Sequence, residues 1–252
     1  MKKFLFLLSF SIFLSGFLFS QSVDDLVKQA DLLEKQLKEE EAYQKFKEVI
    51  KVQPHHLYAL IRCSELASRI GRRQQTKEKQ MDFYKAGIIY AERALKINSK
   101  DSDANVAMSF AYARMSLLKS GKEKVSYVRE IKTYAERALA YNPTNFKALF
   151  VMGRWHYEVS TLSSVERAAV KIFFGGLQKN SLDSAVIYHE RVRAISPDFL
   201  LNYLELAKAY HKNNKKQKAV EILNYMFRLP NTAADDPTIK AEGKQLLVTW
   251  KT

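Results

Sequence analysis

The chain repeats itself, and that repetition limits its folding more than any other feature. The segments KFKEVIKVQP, AERALKINSK, AERALAYNP, HERVRAISP and LNYMFRLP each read as the last turns of a helix followed by a Pro or polar break. The break residues Pro54, Ser99, Pro143, Pro197 and Pro230 stand 45, 44, 54 and 33 residues apart. Helix-pair repeats of the tetratricopeptide type recur at about 34 residues, so the last interval fits and the longer ones need insertions or lengthened helices. Such a chain has no single central core. Each helix pair buries its apolar face against the next pair.

Spacing within the units agrees. Tyr203, Leu206, Ala207 and Tyr210 form one helical stripe, the polar run from Lys212 to Lys216 makes a turn, and Ala219, Leu223 and Met226 form a second stripe. Ala30, Ser64, Ser109, Gly153 and Ala207 occupy the same small-residue slot in successive first helices, where a partner helix can approach closely. The expected fold is therefore all-α. It is a tetratricopeptide-type helical-repeat solenoid of about five helix pairs over residues 23–252, with lengthened helices and one inserted helix. The insertion begins with a capping box, Ser163 to Glu166, continues with Ala169, Ile172 and Phe173 at helical spacing, and stops at Gly175-Gly176. It is expected to fill space between repeats or to form a lid over a groove. Only eight Gly and five Pro are present, too few for the frequent turns of a sandwich or barrel.

Residues 1–22 read as an export signal. Lys2 and Lys3 precede an apolar run from Phe4 to Phe19, and Ser20-Gln21-Ser22 places small residues where a signal peptidase reads, with cleavage expected after Ser22 or Ser20. The run is shorter than the roughly 20 residues of a bilayer-spanning helix, which sets cleavage above an uncleaved anchor. The expected location is periplasmic or membrane-peripheral. The formal net charge of +14 attracts acidic proteins, anionic headgroups or nucleic acid without choosing among them. Cys63 is the only cysteine and sits in the apolar run LIRCSELA, as a small core residue rather than a nucleophile.

The run Met152-Gly153-Arg154-Trp155, Glu158-Val159, Leu162-Ser163, Glu166-Arg167 and Phe174-Gly175 resembles the regulator of microtubule dynamics family. The likeness extends through Ala185, Ser196-Pro197, Leu206-Ala207-Lys208, Tyr210 and Leu229-Pro230. The resemblance implies a non-enzymatic helical domain, and some members of that family tether membranes and bind phospholipid. Its animal members act beside microtubules. A chain that begins with an export signal is not expected to share that partner.

Residues for chemistry are scarce. No phosphate-binding glycine loop or nucleophile elbow is present. His55, His56, His156, His189 and His211 show no metal-ligand spacing, so neither catalysis nor a cofactor is expected. The basic cluster Arg62, Arg69, Arg72, Arg73, Lys77 and Lys79 belongs to no nucleic-acid reading motif, and no nucleic-acid partner is expected. Phasing the first helices on the small slot places Asp31, Glu65, Phe110, Arg154 and Lys208 one residue beyond it. Lys35, Arg69, Arg114, Glu158 and Lys212 fall five beyond. The groove read this way is acidic at its N-terminal end and basic from Arg69 onward. Its apolar floor would be Ile61, Val106, Phe110, Phe150 and Tyr157. The candidate site is Arg69, Phe110, Arg114, Phe150, Arg154, Tyr157 and Lys208, with arginines suited to carboxylate or phosphate. The expected role is an adaptor that takes a protein segment in this groove. The alternative is an anionic phospholipid in the same place.

Overall fold

Short polar side chains start most of the helices. Ser22, Thr76, Asp101, Asn145, Ser163 and Ser181 each accept a hydrogen bond from a first-turn N–H, and the ring of His56 does so through Nδ1 at 3.1 Å. In the computed structural model, which describes residues 22–175 and 181–251, the helices are α1 (Val23–Lys35), α2 (Glu39–Val52), α3 (Leu57–Arg72), α4 (Lys77–Ile97), α5 (Ser102–Ser116) and α6 (Gly121–Tyr141). There follow α7 (Phe146–Ser160), α8 (Ser164–Phe174), α9 (Leu182–Ile195), α10 (Leu200–Lys212), α11 (Lys216–Met226) and α12 (Asp236–Lys251). The expected leader, residues 1–22, lies outside the described residues except for Ser22.

The near-identical AERALxxN copies show why the sequence recurs. Ala91 and Ala94 on α4, like Ala135 and Ala138 on α6, are fully buried. Asn98 and Asn142 then end their helices, and each side-chain oxygen accepts from the N–H two residues on, at 3.0 and 3.1 Å. Arginines of the second helices tie repeats together. Arg93 donates to the Pro54 carbonyl at 2.9 Å and Arg191 to the Pro143 carbonyl at 3.1 Å.

The helices pack as α1 with α2, α3 with α4, α5 with α6, α7 with α9, and α10 with α11. The small slot sits where the helices of a pair meet. Ser64 and Ser109 are fully buried and donate to the Gly87 and Ile131 carbonyls, each at 2.8 Å. At Gly153 an added Cβ would fall 2.7 Å from the ring of His189. Tyr203, Leu206, Ala207 and Tyr210 are buried in one cluster with Ala219, Leu223 and Met226. The inserted helix α8 has its capping box, and Gly175 stops it at φ 68°. The second stop glycine, Gly176, lies outside the described residues. Val170 is buried, but Val165 and Ile172 are open to solvent. A feature the sequence reading did not separate out is α12, which packs on α10 and α11 through Ile239, Leu246, Leu247 and Trp250.

Candidate ligand-binding face

The first helices of successive pairs, α3, α5, α7 and α10, lie side by side. Charged side chains of helices that are not neighbours meet across them, which requires this face to be concave. Lys147 at the start of α7 reaches Glu65 of α3 at 2.5 Å, past α5. Asp235, in the connection before α12, reaches Arg72 at 2.5 Å and Arg73 at 3.5 Å at the end of α3.

The N-terminal half of this face is a closed ion-pair network. Arg62 pairs with both Glu34 and Glu65, and Arg69 pairs with Glu34 and, at 3.3 Å, with Glu39. Arg73 joins Glu39 at 2.7 Å and Glu40 at 3.0 Å. Burial pushes the Glu65 carboxyl up, yet Lys147 and Arg62 outweigh it and leave it at about 2. Burial acts likewise on Glu34 and is outweighed by Arg69 and Arg62. The acidic end expected from the sequence is therefore neutralised by its own arginines. Most of the basic cluster around Arg62 is taken up in the same way.

The C-terminal half is different. Arg154 pairs with Glu158 at 3.1 Å and with buried Glu205 at 3.6 Å. Lys208 pairs with Glu205 at 3.3 Å and with Glu242 of α12 at 2.7 Å. Between these pairs and the network stands Arg114, half-buried, with no carboxylate of the described residues at ion-pair distance. Burial, then the neighbouring charges of Arg72 and Arg154, push its guanidinium down to about 10, against weaker help from Tyr84 and Asp235. The charges of Arg72 on α3 and Arg154 on α7 thus both bear on Arg114 of α5, which has no ion-pair partner among the described residues.

Of the seven candidate residues, Arg114, Arg154 and Lys208 lie on this charged face, and Arg69 belongs to the closed network. Phe110 and Tyr157 are half-buried against neighbouring helices. Phe150 is in the core, edge-on to Phe199 at 5.0 Å and to His189 at 5.6 Å. Ile61 and Val106 are buried too, so the expected apolar floor is largely helix-packing core. Arg72 was not placed in the groove from the sequence, although it follows Glu65 and Arg69 at helical spacing. Glu205 and Asp235 were missed as well. Glu205 holds the position two residues before its own small slot, and Asp235 has no periodic signal at all.

Cys63, His156 and His211 sit in burial or ring-packing contacts. Burial pushes the Cys63 thiol up to about 12. His156 stacks on Tyr188 at 5.4 Å and His211 on Trp250 at 4.1 Å. Among the described residues no group of three His, Cys, Asp or Glu is placed to hold a metal, and no helix is long and apolar enough to cross a membrane.

Comparison with known proteins decides the family. The family model described as Regulator of microtubule dynamics protein 1-3 matches residues 26–251. The chain belongs to this family. It is 26% identical over 230 residues to Regulator of microtubule dynamics protein 1 of Pongo abelii, covering 90% of this chain and 73% of that protein. It is 27% identical over 229 residues to the Mus musculus protein of the same name, covering 89% of this chain and 74% of the other. A thermophilic TPR protein of Thermus thermophilus superposes over 90% of this chain and 100% of its own, with a TM-score of 0.64 at 12% identity. That likeness establishes the tetratricopeptide fold for this member of the regulator of microtubule dynamics family. Its fold is that of a helical-repeat solenoid.

Proposed function

We propose that this protein is a non-enzymatic adaptor whose concave face takes an acidic segment of a partner protein. The observation that carries the reading is Arg114, a half-buried guanidinium without a carboxylate partner among the described residues, under the charges of Arg72 and Arg154. A chain folding for stability alone would pair or remove such a charge, because an unneutralised cation near two others is destabilising. An incoming carboxylate relieves that repulsion and gains a bidentate contact. The core placement of Ile61, Val106 and Phe150 favours a protein segment over the alternative of an anionic phospholipid, since the face offers charge rather than an apolar trough. The leader supports work outside the cytoplasm, in the periplasm or at a membrane surface, and for that reason microtubules are not carried over from the names of the relatives.

Native mass spectrometry of the gently purified protein separates the readings. A stoichiometric protein or peptide adduct is the expected result, and a phospholipid adduct in its place would favour the alternative.

A further inference from the structure

We infer that the arginine site already has a resident ligand, the chain's own Asp235, and that an acidic partner binds by displacing it. This rests on the acidic-segment reading above and adds how access to the site is controlled. Asp235 is brought to Arg72 and Arg73 from more than 160 positions along the chain, with its side chain only 14% exposed. Its Oδ2 lies 2.5 Å from Arg72 and its Oδ1 3.5 Å from Arg73, so the carboxylate bridges two guanidiniums as a bound ligand's would. Its charge also reaches Arg114, which it favours but does not pair.

The neighbouring residue holds the loop in shape. Asp236 Oδ2 accepts from the N–H groups of Thr232 and Ala233 at 2.7 and 2.8 Å. Beyond it α12 is fastened by Lys208–Glu242 at 2.7 Å, by the stack of Trp250 on His211, and by the Lys240 ammonium on the Leu229 carbonyl at 2.6 Å. The attachment of α12 to α10 and α11 is thus independent of Asp235. Releasing the carboxylate frees Arg72 without unfolding the last repeat. A partner's carboxylates would then meet Arg72, Arg114 and Arg154 together.

The test uses the full chain and a fluorescein-labelled hexaglutamate peptide, read by anisotropy, in wild type, Asp235→Asn and Arg114→Glu. When a site is open only part of the time, apparent affinity falls by the open fraction, so removing the resident carboxylate should tighten binding on the order of threefold to tenfold. Hydrogen exchange gives a second reading without any ligand: residues 230–236 should lose protection in Asp235→Asn while α10 and α11 keep theirs. If Arg114→Glu abolishes binding but Asp235→Asn leaves both affinity and exchange unchanged, the displacement idea is overturned and the acidic-segment reading stands. If no variant binds the peptide yet exchange rises at 230–236, the internal contact is real and the acidic-segment reading fails instead. No binding together with unchanged exchange overturns both.

Discussion

The imidazole of His189 on α9 lies directly over Gly153 of α7, so close that a Cβ there would fall 2.7 to 2.9 Å from three ring atoms. The ring cannot easily move aside. Its Nδ1 is 2.8 Å from the Asn202 side-chain oxygen, and the Asn202 amide donates to the His189 carbonyl at 2.9 Å. Gly153→Leu should therefore lower stability by about 3 kcal/mol through overpacking. Gly87→Ala, whose Cβ would stand 3.3 Å from the Ser64 carbonyl oxygen, should be close to neutral because helix propensity returns about 1 kcal/mol. Urea melts of both variants check the ordering, and equal losses would contradict this packing.

His189 also makes stability depend on pH. Burial holds its pKa down to about 4, against an ordinary value of 6.5. Between those values the unfolded chain binds a proton that the folded chain refuses, so stability is full above about pH 7 and falls as the solution is acidified. The loss at pH 5 should be about 2 kcal/mol, and continue toward pH 4. His156 is shifted in the same direction by burial. The decisive measurement is the difference in urea stability between pH 7.5 and 5 for wild type and His189→Gln; the variant should lose most of that difference.

Arg114 is predicted to reduce the stability of the free protein. Its lowered pKa means that the folded state resists the charge, and solvent at the half-buried guanidinium screens part of the effect. Arg114→Met should raise stability by about 1–2 kcal/mol in the absence of ligand. A melt shifted downward would show that an anion-free Arg114 is already satisfied.

On binding, Arg114→Glu with Arg154→Glu should abolish association with an acidic peptide. Lys215→Glu with Lys216→Glu, at the start of α11 and away from the inner face, should weaken it only modestly. Equal losses in anisotropy titrations would reduce the interaction to general surface charge.

Processing of the proposed leader would have a structural consequence. Ser22 caps α1 by accepting from the Asp25 N–H at 3.1 Å. Cleavage after Ser22 would delete that cap and place a positive amino terminus at the helix start, whereas cleavage after Ser20 preserves it. N-terminal sequencing of the mature protein should find Gln21, and an intact Met1 would refute the proposed export processing.

The sequence by itself determined the repeat, the small slot and the caps, because each rests on contacts within one helix pair or one turn. Ser64, Ser109 and Gly153 could be read from spacing alone, as could the capping box at Ser163 and the buried place of Cys63. The same phasing placed Arg114 and Arg154 on the inner face. It could not say which of those charges are free, since that depends on what lies opposite. Glu65 is answered by Lys147 from two repeats away, and Arg72 by Asp235 from the far end of the chain. Those meetings are set by the curvature that accumulates from helix pair to helix pair, a sum of small packing angles with no local signature in the residues. Only the tertiary structure decided that Arg69 is neutralised and that Phe150 faces the core. It also left Arg114 as the half-buried arginine of the inner face without an ion-pair partner among the described residues.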